Sequence, residues 1–284
     1  MINVKDLKFS YRHDGTYQVD GISFEVKEGE TLGFLGPNGA GKSTVQKILI
    51  GLLPMQEGEA IVDGVAVKDY NSKFFNKIGV SFEFPNAYKK LSALENMEYY
   101  ASLFDVPTQD PRMLLKLVGL EDAVDKKVGD FSKGMLQRFV MARSMLNKPE
   151  VWFLDEPLSG LDPQTSQNIK NVIKQEKETG TTIFLTTHDM HVAEELCDRV
   201  AFIESGKIIV IDSPRNLKLK YGEKVVNIEY KESGKTKTEK LALGNEKDAD
   251  RVSEILKTKE VETVHSGEAT LEDIFIELTG RGLK

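Results

Sequence analysis

Gly36-Pro37-Asn38-Gly39-Ala40-Gly41-Lys42-Ser43-Thr44 is a full G-x-x-x-x-G-K-[ST] loop, and no other stretch of the 284 residues constrains the fold as tightly. The loop follows Thr31 to Leu35, a short, mostly apolar run that reads as a strand. After it, Val45, Ile48, Leu49 and Leu52 recur at i, i+3, i+4 and i+7, the buried stripe of a helix that Pro54 ends. Strand, loop and helix together are the context in which this motif has meaning. Its glycines let successive backbone N–H groups turn inward around phosphate oxygens, and the helix N-terminus adds positive potential. On this reading Lys42 reaches the β- and γ-phosphates and the Ser43 hydroxyl ligates Mg²⁺, while Gly36, Pro37, Asn38, Gly39, Ala40, Gly41 and Thr44 complete the cradle.

Val151-Trp152-Phe153-Leu154-Asp155-Glu156-Pro157 supplies a second half to such a site. The continuous apolar run predicts a strand buried on both faces. Its carboxylate end would place Asp155 beside the Mg²⁺ and Glu156 where it can polarise an attacking water, with Trp152 simply a core residue. Elsewhere, 2–11, 22–30, 59–67 and 181–186 read as strands, 199–211 as strand-like, and 92–104, 110–119, 133–146, 164–178 and 190–197 as helices. Strands alternating with helices predict an α/β core with a largely parallel sheet. After Asp212-Ser213-Pro214 the pattern changes to a hairpin over 224–231 and 236–243, a helix over 246–257, a strand over 261–266 and a helix over 271–279, where Thr270 and Asp273 have capping-box spacing.

Charge and cysteine usage narrow the functional classes. Lys and Arg number 38 against 45 Asp and Glu, a net charge of −7, which is a poor start for a protein that grips nucleic acid through its phosphates. The single cysteine, Cys197, cannot form an internal disulfide and fits a reducing cytosol. The N-terminal residues carry no apolar signal core, and no apolar run reaches the roughly 18 residues that would span a bilayer. Action at a membrane is therefore expected to go through a partner.

Phe131-Ser132-Lys133-Gly134-Met135-Leu136-Gln137-Arg138, about 20 residues before Asp155, resembles the signature segment of the ABC transporter ATPases. Ser159-Gly160-Leu161-Asp162 is similar to their D-loop, and His188, after Ile183-Phe184-Leu185-Thr186-Thr187, to their switch histidine. These elements come in the family's order, over roughly residues 2–215. P-loop kinases, GTPases and RecA-like motors share only the first motif. The resemblance implies a RecA-like parallel-sheet core, an N-terminal antiparallel β subdomain and a helical signature subdomain at about 85–147 within an ATPase domain at 1–214, while the change of pattern after Pro214 marks 215–284 as a small α+β appendage. It also implies ATP and Mg²⁺ as cofactors and a sandwich in which Ser132, Lys133, Gly134 and Asp162 serve the nucleotide held by the opposite subunit. Glu156 would be the general base, and His188 would contact the γ-phosphate and hold the attacking water.

Two positions depart from the family's pattern. The signature carries Phe131, Lys133 and Met135 in place of the usual Leu, Gly and Gln, with Ser132 and Gly134 retained. Lys133 either adds positive charge near the triphosphate or is a solvated first-turn lysine, and the sequence does not choose between them. Glu83 stands where the family has a glutamine that touches Mg²⁺; a carboxylate can still ligate Mg²⁺, with a different charge. Tyr11 occupies the place of the aromatic that stacks on adenine. Phe84-Pro85-Asn86-Ala87-Tyr88 offers aromatics either for a groove that takes a membrane subunit's cytoplasmic helix or for local packing. His13, His191 and His265 read as ordinary. The tail 269–280 resembles the end of export-type ATPases linked to drug, antibiotic, lipid or polysaccharide efflux.

The expectation is thus an ATP-hydrolysing subunit of an ABC exporter, held at the inner face of the cell membrane by a separately encoded permease and paired with a second ATPase subunit. A soluble ABC ATPase acting on DNA or the ribosome is the rival reading. Such proteins carry a long coiled-coil insertion or two cassettes, whereas only about 90 residues separate Lys42 from Ser132 and there is one phosphate loop. A module that senses ATP without hydrolysing it is a second rival, opposed by the presence of Asp155, Glu156, Asp162 and His188.

Overall fold

A computed structural model describes residues 1–12, 15–83, 86–222, 225–232, 234–267 and 269–280. Two compact units are present, one formed by residues 1–213 and the other starting at Pro214.

The first unit opens with β1 (Ile2–Phe9) and β2 (Val19–Val26), an antiparallel pair with every second residue or so buried. β3 (Thr31–Leu35) is buried along its whole length and delivers the chain into the phosphate loop and α1 (Lys42–Leu49). β4 (Glu57–Val62) and the two-residue β5 (Val65–Ala66) return to the first pair and complete a four-stranded antiparallel sheet in the order β2-β1-β4-β5. After the single turn of α2 (Ser72–Phe75) comes β6 (Ile78–Ser81), which ends two residues before Glu83.

Three helices follow: α3 (Ala93–Ala101), α4 (Pro111–Leu117) and α5 (Lys133–Ser144). Each begins on a side-chain cap. Ser92 and Glu95 form a capping box on α3, Asp110 caps α4 ahead of Pro111, and Ser132 accepts from the Met135 N–H of α5 at 3.2 Å. The unit closes with β7 (Val151–Asp155), α6 (Pro163–Glu178), β8 (Thr182–Thr187), α7 (Met190–Leu196), β9 (Arg199–Glu204) and β10 (Lys207–Asp212). Its larger sheet has the order β10-β9-β3-β8-β7-β6, parallel except at β10.

β3, β7 and β8 are buried at every residue, which explains their unbroken apolar runs: parallel strands in the middle of such a sheet have no solvent face. Phe34, Phe153 and Phe184 meet between these strands, with Phe34 and Phe184 ring centroids 4.9 Å apart, and Phe24 from the smaller sheet joins Phe34 at 4.8 Å. One aromatic cluster therefore ties the two sheets together, under the strand that carries the phosphate loop.

The stretch 199–211, expected as one strand-like segment, is a hairpin. Ser205 (φ 49°) and Gly206 (φ 79°) turn the chain back in the two-residue pattern whose twist suits antiparallel strands.

The second unit begins with α8 (Pro214–Tyr221), a helix the sequence reading missed. β11 (Val225–Glu232), β12 (Lys235–Ala242) and β13 (Glu260–Gly267) form an antiparallel sheet in the order β12-β11-β13, and α9 (Glu246–Thr258) and α10 (Leu271–Thr279) complete it. Ile228, Tyr230, Leu241 and Ile255 are its small core. The Tyr230 hydroxyl donates to Glu239, and Arg251 grips the same carboxylate, so a buried ring keeps its polar tip satisfied. Thr270 and Asp273 form the expected capping box on α10.

Candidate functional site

The site is built at the carboxyl ends of β3, β7 and β8, where an open parallel sheet leaves a crevice. Residues 38–44 of the phosphate loop line a cavity of about 320 Å³, together with Tyr11, Gln18, Glu83, Glu156 and His188. Gly36 sits where the loop leaves β3: a Cβ there would lie 2.1 Å from the Ile203 carbonyl oxygen, so the position admits no side chain. Gly41 (φ 111°) precedes α1 in the left-handed region and turns the loop into the helix.

Lys42 is buried, and its ammonium donates to the carbonyls of Gly36 at 2.7 Å and Pro37 at 3.2 Å. Burial holds its pKa below the usual lysine value, and the carboxylates of Glu156, Asp155 and Glu83 work against that shift. Ser43 Oγ donates to Asp155 Oδ1 at 3.2 Å, and Thr186 donates to the same oxygen. The end of β7 is thereby fixed both to the phosphate loop and to β8.

Glu156, one residue beyond β7, is a buried carboxylate with φ of 48°, a conformation that a non-glycine residue adopts only under strain. Its N–H donates to the Thr186 carbonyl. Its side chain takes a hydrogen bond from Thr187 Oγ1 at 3.1 Å and lies 2.8 Å from His188 Nδ1. A carboxylate only accepts, so Nδ1 is the donor in this pair. Asp189 begins the next helix by capping α7 through the N–H groups of His191 and Val192, which fixes the backbone just after the histidine.

Tyr11 is 55 % exposed beside the loop, its ring edge-on to Phe9 and its hydroxyl 3.2 Å from Thr44 Oγ1, so one face remains open. Gln18 was not foreseen; its amide donates to the Gly39 carbonyl at 2.6 Å and steadies the loop from β2's side. In the sequence Thr186 and Thr187 read only as strand residues; their role as orienting donors comes from the alignment of β8 with β7.

Ser132, Lys133 and Gly134 lie at the start of α5, Ser132 and Lys133 exposed, and none of them lines the cavity. Asp162 is likewise outside it. Its carboxylate caps α6 by accepting from Thr165 N–H at 3.0 Å, and those Thr165 hydrogen bonds hold its pKa below the usual carboxylate value. Of the segment 84–88, Phe84 and Pro85 lie outside the described residues, as does His13. Tyr88 packs edge-on against Tyr99, with Tyr100 nearby, and Arg143 lies over the Tyr100 ring and donates to the Asn86 carbonyl.

Residues 19–159 match the family model described as ABC transporter. Along its full length the chain is 46 % identical to a fluoroquinolones export ATP-binding protein of Mycobacterium tuberculosis, covering 94 % of that protein. This chain belongs to the ABC transporter family. It is an ATP-binding, ATP-hydrolysing subunit. The Nod factor export ATP-binding protein I of Burkholderia thailandensis is 34 % identical over 96 % of this chain and 95 % of its own length.

Among solved structures, the ABC ATPase resembles an ATP-binding subunit of an ABC transporter with a TM-score of 0.71 at 26 % identity, over 78 % of this chain and 93 % of that one. It also resembles the dimeric post-hydrolysis state of an ATP-binding cassette bound to ADP and Pi, with a TM-score of 0.68 at 27 % identity, over 75 % and 98 % of the two chains. Among the described residues, no helix of the ABC ATPase is long and apolar enough to cross a membrane.

Proposed function

We propose that this ABC ATPase works as a pair of protomers closed on two Mg·ATP. Each nucleotide is held by the phosphate loop of one protomer and by the Ser132–Gly134 segment of the other, and the pair drives a separately encoded transmembrane permease in export. The observation that carries this reading is the division of the functional residues. The phosphate loop, Glu83, Glu156 and His188 share one cavity, whereas Ser132, at the N-terminus of the 12-residue α5, stands outside it with an exposed side chain. A helix start with a hydroxyl and open backbone donors suits a γ-phosphate, and in one protomer it has none to meet.

Residues 1–214 would carry the ATPase function and 215–284 would form an accessory domain, with the protein held at the inner face of the membrane by its permease. Within the site, Lys42 binds the β/γ-phosphates and Tyr11 stacks on adenine. Ser43 Oγ, Asp155 Oδ1 and the nearby Glu83 are hard oxygen donors. Among the described residues no cluster of three or more His, Cys, Asp or Glu side chains makes a self-sufficient metal cage. That donor set fits Mg²⁺, which takes few protein ligands and fills its shell with phosphate oxygens and water. Bound there, Mg²⁺ neutralises charge on the β- and γ-phosphates. Glu156 takes the proton of the attacking water, and His188, oriented through Nδ1, presents Nε2 toward the water and γ-phosphate.

Blocking hydrolysis should trap the closed pair. Glu156→Gln protein with saturating Mg·ATP is expected to be dimeric by light scattering and monomeric without nucleotide; a monomer under both conditions overturns the reading.

A further inference from the structure

Lys133 stands at the first position of α5, where the helix N-terminus already carries positive potential, and it makes no ion pair among the described residues. A positive charge there would suit the partner's triphosphate, and the aliphatic stem has a separate contact within the protomer. A Cβ at Gly160 would lie 3.4 Å from Lys133 Cδ, 3.2 Å from Cε and 3.3 Å from Nζ, so the lysine side chain lies across the space that Gly160 leaves open. The reciprocal contact is beside it. A Cβ at Gly134 would lie 3.4 Å from Leu161 Cδ2 and 3.8 Å from the Gly160 carbonyl oxygen. Two large–small pairs, Lys133 on Gly160 and Leu161 on Gly134, mesh the start of α5 with the loop before α6.

The mesh is specific in shape. Gly160 has φ of +74°, so it both turns the loop and leaves room for the stem; any L side chain there would be strained and would press on Lys133. The loop is anchored on its far side by Asp162, which caps α6, and the signature is anchored by Ser132, which caps α5. Between these two caps the Lys133 stem is a tie that sets how the loop stands against the signature.

We infer that Lys133 is a positioning residue whose methylene stem, not its charge, holds the 159–162 loop in register with the Ser132–Gly134 segment, so that both reach the partner's nucleotide together. This rests on the trans arrangement proposed above. Lys133 is exposed, so its ammonium can stay hydrated while the methylenes cover a neighbour.

The test compares Lys133→Met, which keeps the stem and removes the charge, with Lys133→Ala, which removes both. The readouts are kcat and KM for ATP, and ATP-driven dimer formation in the Glu156→Gln background. The inference predicts that kcat of Lys133→Ala falls about tenfold or more below that of Lys133→Met, with KM for ATP equal within about twofold, because a misplaced loop costs turnover and not nucleotide capture. Dimer formation should weaken in Lys133→Ala and be restored in Lys133→Met. If the two substitutions have the same effect, whether both lower kcat or neither does, the stem is not the working part and the inference is overturned. Failure of the Glu156→Gln protein with Lys133 intact to dimerise on ATP would instead overturn the trans arrangement, and this inference with it.

Discussion

His188 Nδ1 lies 2.8 Å from Glu156 Oε1, and Thr187 holds the other oxygen of the same carboxylate, so the end of β8 orients the residue that follows β7. The pair depends on strand alignment. β7 and β8 run parallel with Asp155 opposite Thr186, which brings the next residues of both strands out at the same level. A buried carboxylate in a strained conformation, gripped by two neighbours, has little freedom to choose another rotamer.

If the two residues act as a unit, their substitutions will not add. Glu156→Gln is expected to lower kcat by about 10²- to 10⁴-fold, the range of a lost general base, and His188→Ala by a smaller factor. The double variant should be no slower than Glu156→Gln alone, because the histidine acts on what the carboxylate does. Steady-state rates at saturating Mg·ATP provide the cycle, and full additivity would show that the two act separately.

Tyr11 tests the nucleotide-binding half. Stacking of an aromatic on a base is worth about 1–3 kcal/mol, so Tyr11→Ala should raise KM for ATP roughly tenfold with little change in kcat. Tyr11→Phe loses only the contact to Thr44 Oγ1 and should stay near the parent. Titration with a fluorescent ATP analogue measures both, and equal affinity in Tyr11→Ala would remove the ring from the site.

Glu195 on α7 receives Lys170 Nζ at 2.5 Å and Lys174 Nζ at 2.6 Å from α6, joining the two helices that follow Asp162 and His188. Those two hydrogen bonds hold its pKa down to about 2. Because the folded-state value is depressed, the stabilisation is complete above the usual carboxylate range and disappears as pH falls through about 2. The groups are partly solvated, so the contribution is on the order of 1 kcal/mol or less. Glu195→Gln should lower Tm by a few degrees at pH 7, and the difference should shrink steadily toward pH 2 in thermal melts. A gap that persisted at pH 2 would mean that the glutamine harms packing and not charge.

The strand–loop–helix unit around residues 36–44 is legible because its signals are local: glycine spacing, a preceding apolar strand and a following helical stripe all lie within one short stretch. β7 and β8 could be read from unbroken apolar runs for the same reason. Gln18, Thr186 and Thr187 were not legible as site residues, since their partners are Gly39, Asp155 and Glu156, which only the fold brings near. The hairpin at Ser205-Gly206 does carry a signal, a small two-residue turn inside an apolar stretch, but one too short to break the run of 199–211. Pro214 likewise marked a boundary but was also the first residue of α8, a place that suits proline because its missing N–H needs no partner there. The meshing of Lys133 with Gly160 lay furthest from reach: two exposed-looking residues, separated by β7, whose fit is a matter of shape alone.

Whether a complete catalytic site takes residues from two protomers is decided by the Mg²⁺-dependent specific ATPase rate of the purified chain over a wide range of protein concentration. Ser132→Ala and Glu156→Gln serve as comparisons. A shared site gives a specific rate that climbs with concentration toward a plateau, is depressed throughout in Ser132→Ala, and vanishes in Glu156→Gln. A dilute protein that turns over ATP at a rate independent of its own concentration would contradict it.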